Sequence, residues 1–176
     1  MSNVRSDFVK PILVLTLICL VISAALAFTN QKTAPIIAEA ERVKAEQARK
    51  EVMPDADSFT QLTLENLPAT VKEVYKADNG VGYVFMLTTK GYGGDIKIIC
   101  GIDKDGKITE TNTLSQSETK GLGTKITLPL FRDQFKGKDS TLEGVDTITG
   151  ATISSRPYVN AIKDAFTALE VAKEAE

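Results

Sequence analysis

Two apolar runs separated by glycines lie near the middle of this sequence. Residues 83–102 read Tyr-Val-Phe-Met-Leu-Thr-Thr-Lys-Gly-Tyr-Gly-Gly-Asp-Ile-Lys-Ile-Ile-Cys-Gly-Ile. Each run is rich in β-branched and aromatic residues, which favour strands, and the cluster of glycines between them is typical of a connection. The segment therefore predicts two strands of a sheet.

A turn precedes these strands. Asp78-Asn79-Gly80 follows a run of period two that begins at Val71. Asn-Gly adopts positive φ angles easily, and a tight hairpin needs such angles. We therefore expect an earlier strand to fold back onto the run that starts at Tyr83.

A second turn follows the strands, where residues 103–106 read Asp-Lys-Asp-Gly. They resemble a calcium loop only superficially, because Gly101 and Asn112 occupy positions at which that loop requires Asp and Glu ligands. We expect a hairpin turn instead, then a strand through Ile108 and Leu114, and we assign no metal site. Successive hairpins predict an antiparallel sheet.

Helical patterns accompany the sheet. Apolar residues recur at spacings of three, four and three at Val159, Ile162, Phe166 and Leu169. This spacing is typical of a helix that covers a sheet with one face. We also expect a short helix over residues 129–135 and a strand over residues 142–145. The predicted fold class is α+β, an antiparallel sheet packed by helices.

The N-terminal region contains an uncharged apolar run over residues 12–28, long enough for a short membrane-spanning helix, and Pro11 suits its start. A cleaved signal peptide is the alternative, since residues 25–27 read Ala-Leu-Ala, but the run is longer than usual for one. Arg5 and Lys10 before the run favour a cytoplasmic N-terminus.

A helical stem is expected after the span, because Glu46 and Lys50 are four residues apart and Pro54 provides a stop. We therefore predict a single-pass protein of the cytoplasmic membrane in four segments. They are a cytoplasmic N-terminus (1–10), a transmembrane helix (11–29), a stem (30–54) and one extracytoplasmic domain (55–176).

Composition narrows the possible chemistry. The 176 residues include 21 Lys and Arg against 23 Asp and Glu, and this balance offers no bulk attraction to nucleic acid. Histidine is absent, which removes the commonest general base and metal ligand. Cys19 and Cys100 lie too far apart in the predicted organisation to form a disulfide, and we interpret both as small buried hydrophobic residues. We assign no catalytic residue.

Residues 146–155 read Asp-Thr-Ile-Thr-Gly-Ala-Thr-Ile-Ser-Ser and lead into the last predicted helix, whose start we place at Ser154 and Ser155, before Pro157. Two small residues precede Thr152, which leaves its hydroxyl open. A helix start offers unpaired N–H groups and a partial positive charge, which favour a phosphate. An ordinary polar turn that caps a helix is the alternative.

Residues 146–152 resemble the flavinylation signature Asp-x-x-(Ser/Thr)-Gly-Ala-Thr of the FMN-binding domain family, found in the G subunit of Rnf electron transport complexes and the C subunit of sodium-pumping NADH:quinone reductases. Residues 91–94, residues 118–123 and the N-terminal membrane segment follow the family's order. Gln116 and Lys120 depart from it, because the family commonly has His and Pro there.

The resemblance implies that a separate flavin transferase esterifies the Thr152 oxygen to the phosphate of FMN. It also implies a cofactor site built from two segments, since glycine lets a backbone approach a ligand closely. The residues expected beside the cofactor are Asp146, Thr149, Gly150 and Ala151 in the first segment, and Glu118, Thr119, Gly121, Leu122 and Gly123 in the second.

The short chain is more similar to the Rnf protein than to its longer counterpart in the reductase. The resemblance therefore implies a membrane-anchored flavoprotein subunit of an ion-translocating ferredoxin:NAD+ oxidoreductase. Such a protein relays electrons without a complete active site of its own, and its partners are the other membrane subunits, which hold the ferredoxin and NAD sites. The alternatives are the C subunit of the reductase and a membrane-tethered binding or sensor domain without covalent flavin.

Overall fold

One antiparallel sheet with helices forms the architecture of residues 3–175, which the computed structural model describes. The sheet is a five-stranded meander in the order β1-β2-β3-β4-β5. The elements are α1 (Asn3–Val52), β1 (Phe59–Leu62), β2 (Val71–Ala77), β3 (Gly82–Lys90), β4 (Asp95–Asp103), β5 (Ile108–Ser115), α2 (Pro129–Arg132) and α3 (Thr152–Glu174), with 3-10 turns at Gly123–Thr127 and Asp133–Phe135. The predicted α+β class is confirmed.

The chain forms two compact units, which divide between Val43 and Lys44. In the first unit, every described side chain from residue 9 to residue 43 is exposed. The helix there is long and apolar enough to cross a membrane. The interpretation of Cys100 as a buried residue is confirmed, whereas that of Cys19 is wrong, because Cys19 is exposed on this helix.

The interpretation of Pro11 as a helix start is wrong. Helix α1 begins at Asn3, and Pro11 and Pro35 both lie inside it. A proline inside a helix removes one backbone hydrogen bond, and the remaining bonds keep this helix continuous.

The two predicted hairpin turns are present. Gly80 has φ 73° and donates its N–H to Ala77 O at 2.9 Å, which closes the turn between β2 and β3. Between β4 and β5, Asp103 Oδ1 accepts the backbone N–H groups of Asp105 at 3.0 Å and Lys107 at 2.8 Å. The Asp103 carboxylate therefore organises a hairpin turn.

Both faces of the sheet are covered in the second unit. On one face, α3 packs its predicted apolar stripe, of which Ile162, Phe166 and Leu169 are buried and Val159 is half-buried. On the other face, the end of α1 contributes Ala48, Val52 and Met53 to a second apolar cluster that includes Val84 and Ile99. The sheet is therefore the central layer, with α3 and the end of α1 outside it.

Strand β1 was not predicted, since its four residues, Phe-Thr-Gln-Leu, carry little periodicity and pair only with β2. The short helix expected over residues 129–135 is confirmed as α2 and the following 3-10 turn. The strand expected over residues 142–145 is wrong. Leu142 has φ 50°, and Val145 N–H donates to Leu142 O at 3.2 Å, so a turn forms there while the Leu142 side chain fills the core.

Candidate flavin site

The turn before α3 is closed by its own hydrogen bonds. Ala151 N–H donates to Ile148 O at 2.9 Å, and Ile148 N–H donates to Ser155 Oγ at 3.0 Å. Ser155 Oγ in turn donates to Ala151 O at 3.0 Å. Gly150 has φ 82°, a conformation that glycine adopts without strain. This turn therefore holds a fixed shape ahead of the helix.

Helix α3 begins at Thr152, two residues before the predicted start. The prediction is wrong because Ser155 closes the preceding turn and Ser154 is buried, so neither serine caps the helix from outside. Thr152 is half-buried, and its hydroxyl makes no hydrogen bond within residues 3–175. The hydroxyl that the sequence predicts as the flavin acceptor therefore has no hydrogen-bond partner among the described residues.

The other residues of the first predicted segment surround this turn. Ala151 is buried, and Thr149 and Gly150 are exposed. Asp146 is exposed too, and its backbone N–H donates to Gln134 Oε1 at 2.9 Å. Asp146 is therefore tied to the segment after α2.

Glu118 joins three distant segments through its carboxylate. Oε1 accepts the N–H of Gly93 at 2.9 Å, and Oε2 accepts the N–H of Tyr92 at 3.3 Å. Oε2 also accepts the hydroxyl of Ser154 in the first turn of α3. The side chain is buried, with Glu118 only 7% exposed. We call this set of contacts the Glu118 junction; it brings the predicted segment 118–123 to the start of α3.

Glycines make room for the Glu118 junction. A Cβ at Gly123 would lie 2.6 Å from Glu118 Oε2 and 2.8 Å from Ser154 Oγ, and a Cβ at Gly91 would clash with Glu118 Oε1. Gly123 is buried against these two side chains. Its lack of a side chain is therefore needed for packing between the loop and α3.

The remaining residues of segment 118–123 form an exposed turn. Leu122 N–H donates to Thr119 O at 3.1 Å, and Gly121 N–H donates to Thr124 Oγ1 at 3.0 Å. Thr119 and Gly121 are exposed, and Gly121 has φ 78°. This turn leaves backbone and small side chains open to a ligand.

Three large apolar side chains lie beside the Glu118 junction and remain open to solvent. Tyr92 is 73% exposed, Leu122 is 48% exposed and Ile153 is 63% exposed. Tyr92 itself donates its backbone N–H to Glu118. Leu122 precedes Gly123, which packs against Glu118, and Ile153 precedes Ser154, which donates to Glu118. Each of the three therefore leaves apolar surface open to solvent beside the junction.

Sequence reasoning did not assign Tyr92 or Ser154 to the site. Ser154 was interpreted as part of a helix start, and Tyr92 carries no local signal beyond its position between glycines. Their role depends on Glu118, from which Tyr92 is separated by 26 residues and Ser154 by 36. Such contacts have no local sequence pattern.

The chemistry of the remaining groups is limited. Burial raises the pKa of the Cys100 thiol well above its usual range, so this cysteine is a poor nucleophile. Within residues 3–175, no group of three or more His, Cys, Asp or Glu side chains is placed to hold a metal ion.

Comparison with known proteins identifies the class. Residues 91–167 match the family model of the FMN-binding domain, and this range contains the Glu118 junction and Thr152. The α+β fold is consistent with an FMN-binding domain. The chain belongs to the family of G subunits of Rnf-type, ion-translocating oxidoreductase complexes.

Two relatives carry this assignment. The G subunit of the Na(+)-translocating ferredoxin:NAD(+) oxidoreductase complex of Acetobacterium woodii is 33% identical, and the alignment covers 85% of this chain and 86% of the relative. The G subunit of the ion-translocating oxidoreductase complex of Methanosarcina acetivorans is 33% identical, with coverage of 90% and 93%. The similarity therefore extends over most of both chains.

A solved structure is also similar. It is the C subunit of the Na(+)-translocating NADH-quinone reductase of Parabacteroides distasonis, with 26% identity and a TM-score of 0.44. The match covers 56% of this chain and 61% of that chain.

Proposed function

We propose that this protein is the membrane-anchored subunit of an Rnf-type complex that relays electrons through FMN bound covalently to Thr152. The observation that carries the proposal is the Thr152 hydroxyl. It lacks a hydrogen-bond partner within residues 3–175 and stands at the first residue of the 23-residue helix α3, where Thr152 is half-buried. Because no described group engages this hydroxyl, modification of Thr152 would break no hydrogen bond of the fold.

The first turn of α3 suits a phosphate ester. The helix dipole places a partial positive charge at the start of α3, which favours a negative group there. A phosphodiester on Thr152 would be attached at this end of the helix. Thr149, Gly150, Ala151 and Asp146 would shape the approach to the phosphate from the preceding turn.

The facing loop would form the second wall. Thr119, Gly121 and Leu122 are exposed next to the Glu118 junction, and Tyr92 and Ile153 offer further apolar surface. FMN, when bound, supplies reversible transfer of one or two electrons, while the chain holds and orients it. A covalent link keeps the cofactor at this site without requiring tight equilibrium binding.

The attachment requires an activated flavin donor and a transferase. In the proposed step, the Thr152 oxygen forms a bond to the flavin phosphorus of a flavin dinucleotide. The pyrophosphate bond of the donor breaks, a nucleoside monophosphate leaves, and the threonine proton passes to a base of the transferase. The product is a phosphodiester, and no electrons are exchanged in this step.

The first unit is the proposed membrane anchor. Residues 12–28 carry no charge, and the described side chains of this unit are exposed. The basic residues Arg5 and Lys10 support a cytoplasmic N-terminus and an extracytoplasmic FMN-binding domain. The relatives from Acetobacterium woodii and Methanosarcina acetivorans belong to ion-translocating oxidoreductases by name. We therefore propose the other membrane subunits as partners, with the ferredoxin and NAD sites on those subunits.

Intact mass spectrometry tests the proposal directly. The protein is coexpressed with the flavin transferase, denatured and weighed, and its ultraviolet fluorescence is recorded in a denaturing gel. We expect a mass increment of one FMN residue and fluorescence that survives denaturation. An unmodified mass, with flavin lost on denaturation or never present, would instead support a binding domain without covalent flavin.

A further inference from the structure

We infer that Glu118 is a positioning residue, which holds the first turn of α3 through Ser154 so that Thr152 is presented for flavin attachment. The inference rests on the proposed function of Thr152. It concerns how the acceptor is held, and it assigns Glu118 no direct contact with the flavin.

The carboxylate of Glu118 is already occupied by the protein. Its two oxygens accept hydrogen bonds from Gly93 N–H, Tyr92 N–H and the Ser154 hydroxyl. The residue is buried, and Gly123 packs directly against it. A buried charge is stable only when it is paired or hydrogen-bonded, and these three donors meet that need. These contacts tie the Glu118 side chain to two other segments of the protein.

The contact with Ser154 fixes how α3 begins. Ser154 is buried, and its backbone N–H donates to Ala151 O at 3.1 Å, so both its hydroxyl and its backbone are held. Residues two apart on a helix point about 200° apart around the axis, given about 3.6 residues per turn. Because Ser154 points into the protein, Thr152 points outward, in agreement with its partial exposure.

The two oxygens of Glu118 are both required. Glutamine has the same shape, but its NH2 group cannot accept a hydrogen bond. In Glu118→Gln, either Gly93 N–H, or Tyr92 N–H and the Ser154 hydroxyl, would face that NH2 group. In Ser154→Ala, the carboxylate keeps its two backbone donors and loses only its link to α3. Glu118→Gln thus changes the hydrogen-bond acceptor of the junction, and Ser154→Ala removes one of its donors.

A matched control exists on the same helix. Thr70 Oγ1 donates to Asp164 Oδ2 at 2.6 Å and so ties α3 to the segment before β2. Asp164 is twelve residues beyond Thr152, about 18 Å along the helix at about 1.5 Å per residue. Thr70→Ala therefore removes a hydroxyl–carboxylate bond to α3 without touching the acceptor turn.

The test measures flavin transfer to the full-length protein by purified flavin transferase with flavin dinucleotide as the donor. We expect Ser154→Ala and Glu118→Gln to lower kcat for transfer between about tenfold and a hundredfold with little change in KM, because misorientation penalises the reacting geometry. Thr70→Ala should react at the wild-type rate. Hydrogen exchange of the unmodified proteins should show faster exchange at residues 152–155 in the two junction variants alone.

Each other result has a defined meaning. One result would overturn the role of the junction and leave the proposed function standing. In it, Ser154→Ala is modified at Thr152 with the wild-type kcat, and hydrogen exchange at residues 152–155 is also as in the wild type. Equal slowing in Thr70→Ala would also overturn it, because any loosening of α3 would then suffice. Absence of flavin on wild-type Thr152 would reject the proposed function and the inference together. Ser154→Ala removes a single oxygen, so it decides the matter even if Glu118→Gln fails to fold.

Discussion

The guanidinium carbon of Arg49, near the end of α1, lies 4.2 Å from the centroid of the Tyr75 ring on β2. Arg49 is only 9% exposed, and the Tyr75 hydroxyl donates to Glu73 Oε2 at 2.7 Å. A desolvated cation over an aromatic face is worth about 2 kcal/mol, more than an exposed pair. This contact therefore fastens the end of α1 to the outer face of the sheet within the second unit.

Arg49→Met should destabilise the protein by about 1–2 kcal/mol, because it removes the cation and keeps most of the apolar stem. The measurement is urea unfolding of the full chain in detergent. Arg42→Met is the control, since Arg42 pairs with Glu39 on an exposed surface, where ion pairs contribute little to stability. Equal losses in the two variants would contradict a special role for the Arg49–Tyr75 contact.

Thr152→Ala should abolish covalent flavin and change the free energy of unfolding by less than about 1 kcal/mol, because the hydroxyl has no partner within residues 3–175. Intact mass and peptide mapping after coexpression with the transferase measure the outcome. Thr152→Ser keeps the oxygen without the methyl that restricts its rotamer, so we expect partial modification.

Thr149→Ala is the control for the position of attachment, and it should retain flavin on Thr152. Full FMN occupancy in Thr152→Ala, or a flavin-bearing peptide attached through Thr149, would falsify the assignment of the acceptor.

Gly123→Val should lower flavin occupancy and destabilise the protein by about 1–3 kcal/mol, because even a Cβ would lie 2.6 Å from Glu118 Oε2. Gly137→Ala, outside both segments of the site, is the matched control. It carries the strain of φ 73°, about 1–2 kcal/mol, but meets no atom within 4 Å. Thermal unfolding and flavin content after coexpression measure both effects. Unchanged flavin content in Gly123→Val would remove this packing contact from the requirements of the site.

Alkaline pH should destabilise the fold through Tyr158. Burial raises the pKa of Tyr158 to about 12 from the usual 10.0. The folded state therefore holds the phenol proton more tightly than the unfolded state. The stability that the protonated Tyr158 contributes is fully present below pH 10 and is lost between pH 10 and 12. Near pH 11, the loss in the free energy of unfolding amounts to about 1 kcal/mol.

Urea unfolding at neutral and alkaline pH measures this loss, and Tyr158→Phe should reduce it. Burial also raises the pKa of Cys100, so both proteins are compared in a Cys100→Ala background. The Tyr158 hydroxyl has no hydrogen-bond partner within residues 3–175, so its removal should cost little at neutral pH. An identical pH dependence with and without the hydroxyl would exclude Tyr158 as the cause.

Protease added to right-side-out vesicles should release the FMN-binding domain, because Arg5 and Lys10 before the span favour a cytoplasmic N-terminus. Immunoblotting with an antibody against the domain measures the release. Inverted vesicles are the control and should protect it. Protection in right-side-out vesicles, with cleavage after inversion, would reverse the topology.

Local sequence patterns predicted the features that depend on neighbouring residues. Asn79-Gly80 and Asp103-Lys104-Asp105-Gly106 form the expected turns, because each carries its own conformational preference or side-chain hydrogen bonds. Strand β1 was missed, since it is defined by pairing with β2 rather than by its four residues. The strand predicted over residues 142–145 was wrong for a related reason, which concerns Leu142. Its apolar side chain serves the core from a turn, so hydrophobicity alone suggested a strand.

In the candidate site, too, the sequence indicated contiguous features but not contacts between distant residues. Thr152 could be singled out because a contiguous motif surrounds it. The link from Glu118 to Ser154 could not, because it joins residues 36 positions apart and depends on how α3 docks. Gly123 was expected to lie beside a ligand. In the structure, the space that a Cβ would need at Gly123 is occupied by atoms of Glu118 and Ser154.

The Glu118 junction also sets an order of events. It closes a long chain segment between Tyr92 and Ser154, and contacts of such sequence separation form only after the entropy of loop closure has been offset by other packing. We therefore expect the turn before α3 to reach its final shape late in folding, once the sheet and α3 have met. The proposed flavin transferase, if it recognises this shape, would modify folded chains and leave misfolded copies without flavin.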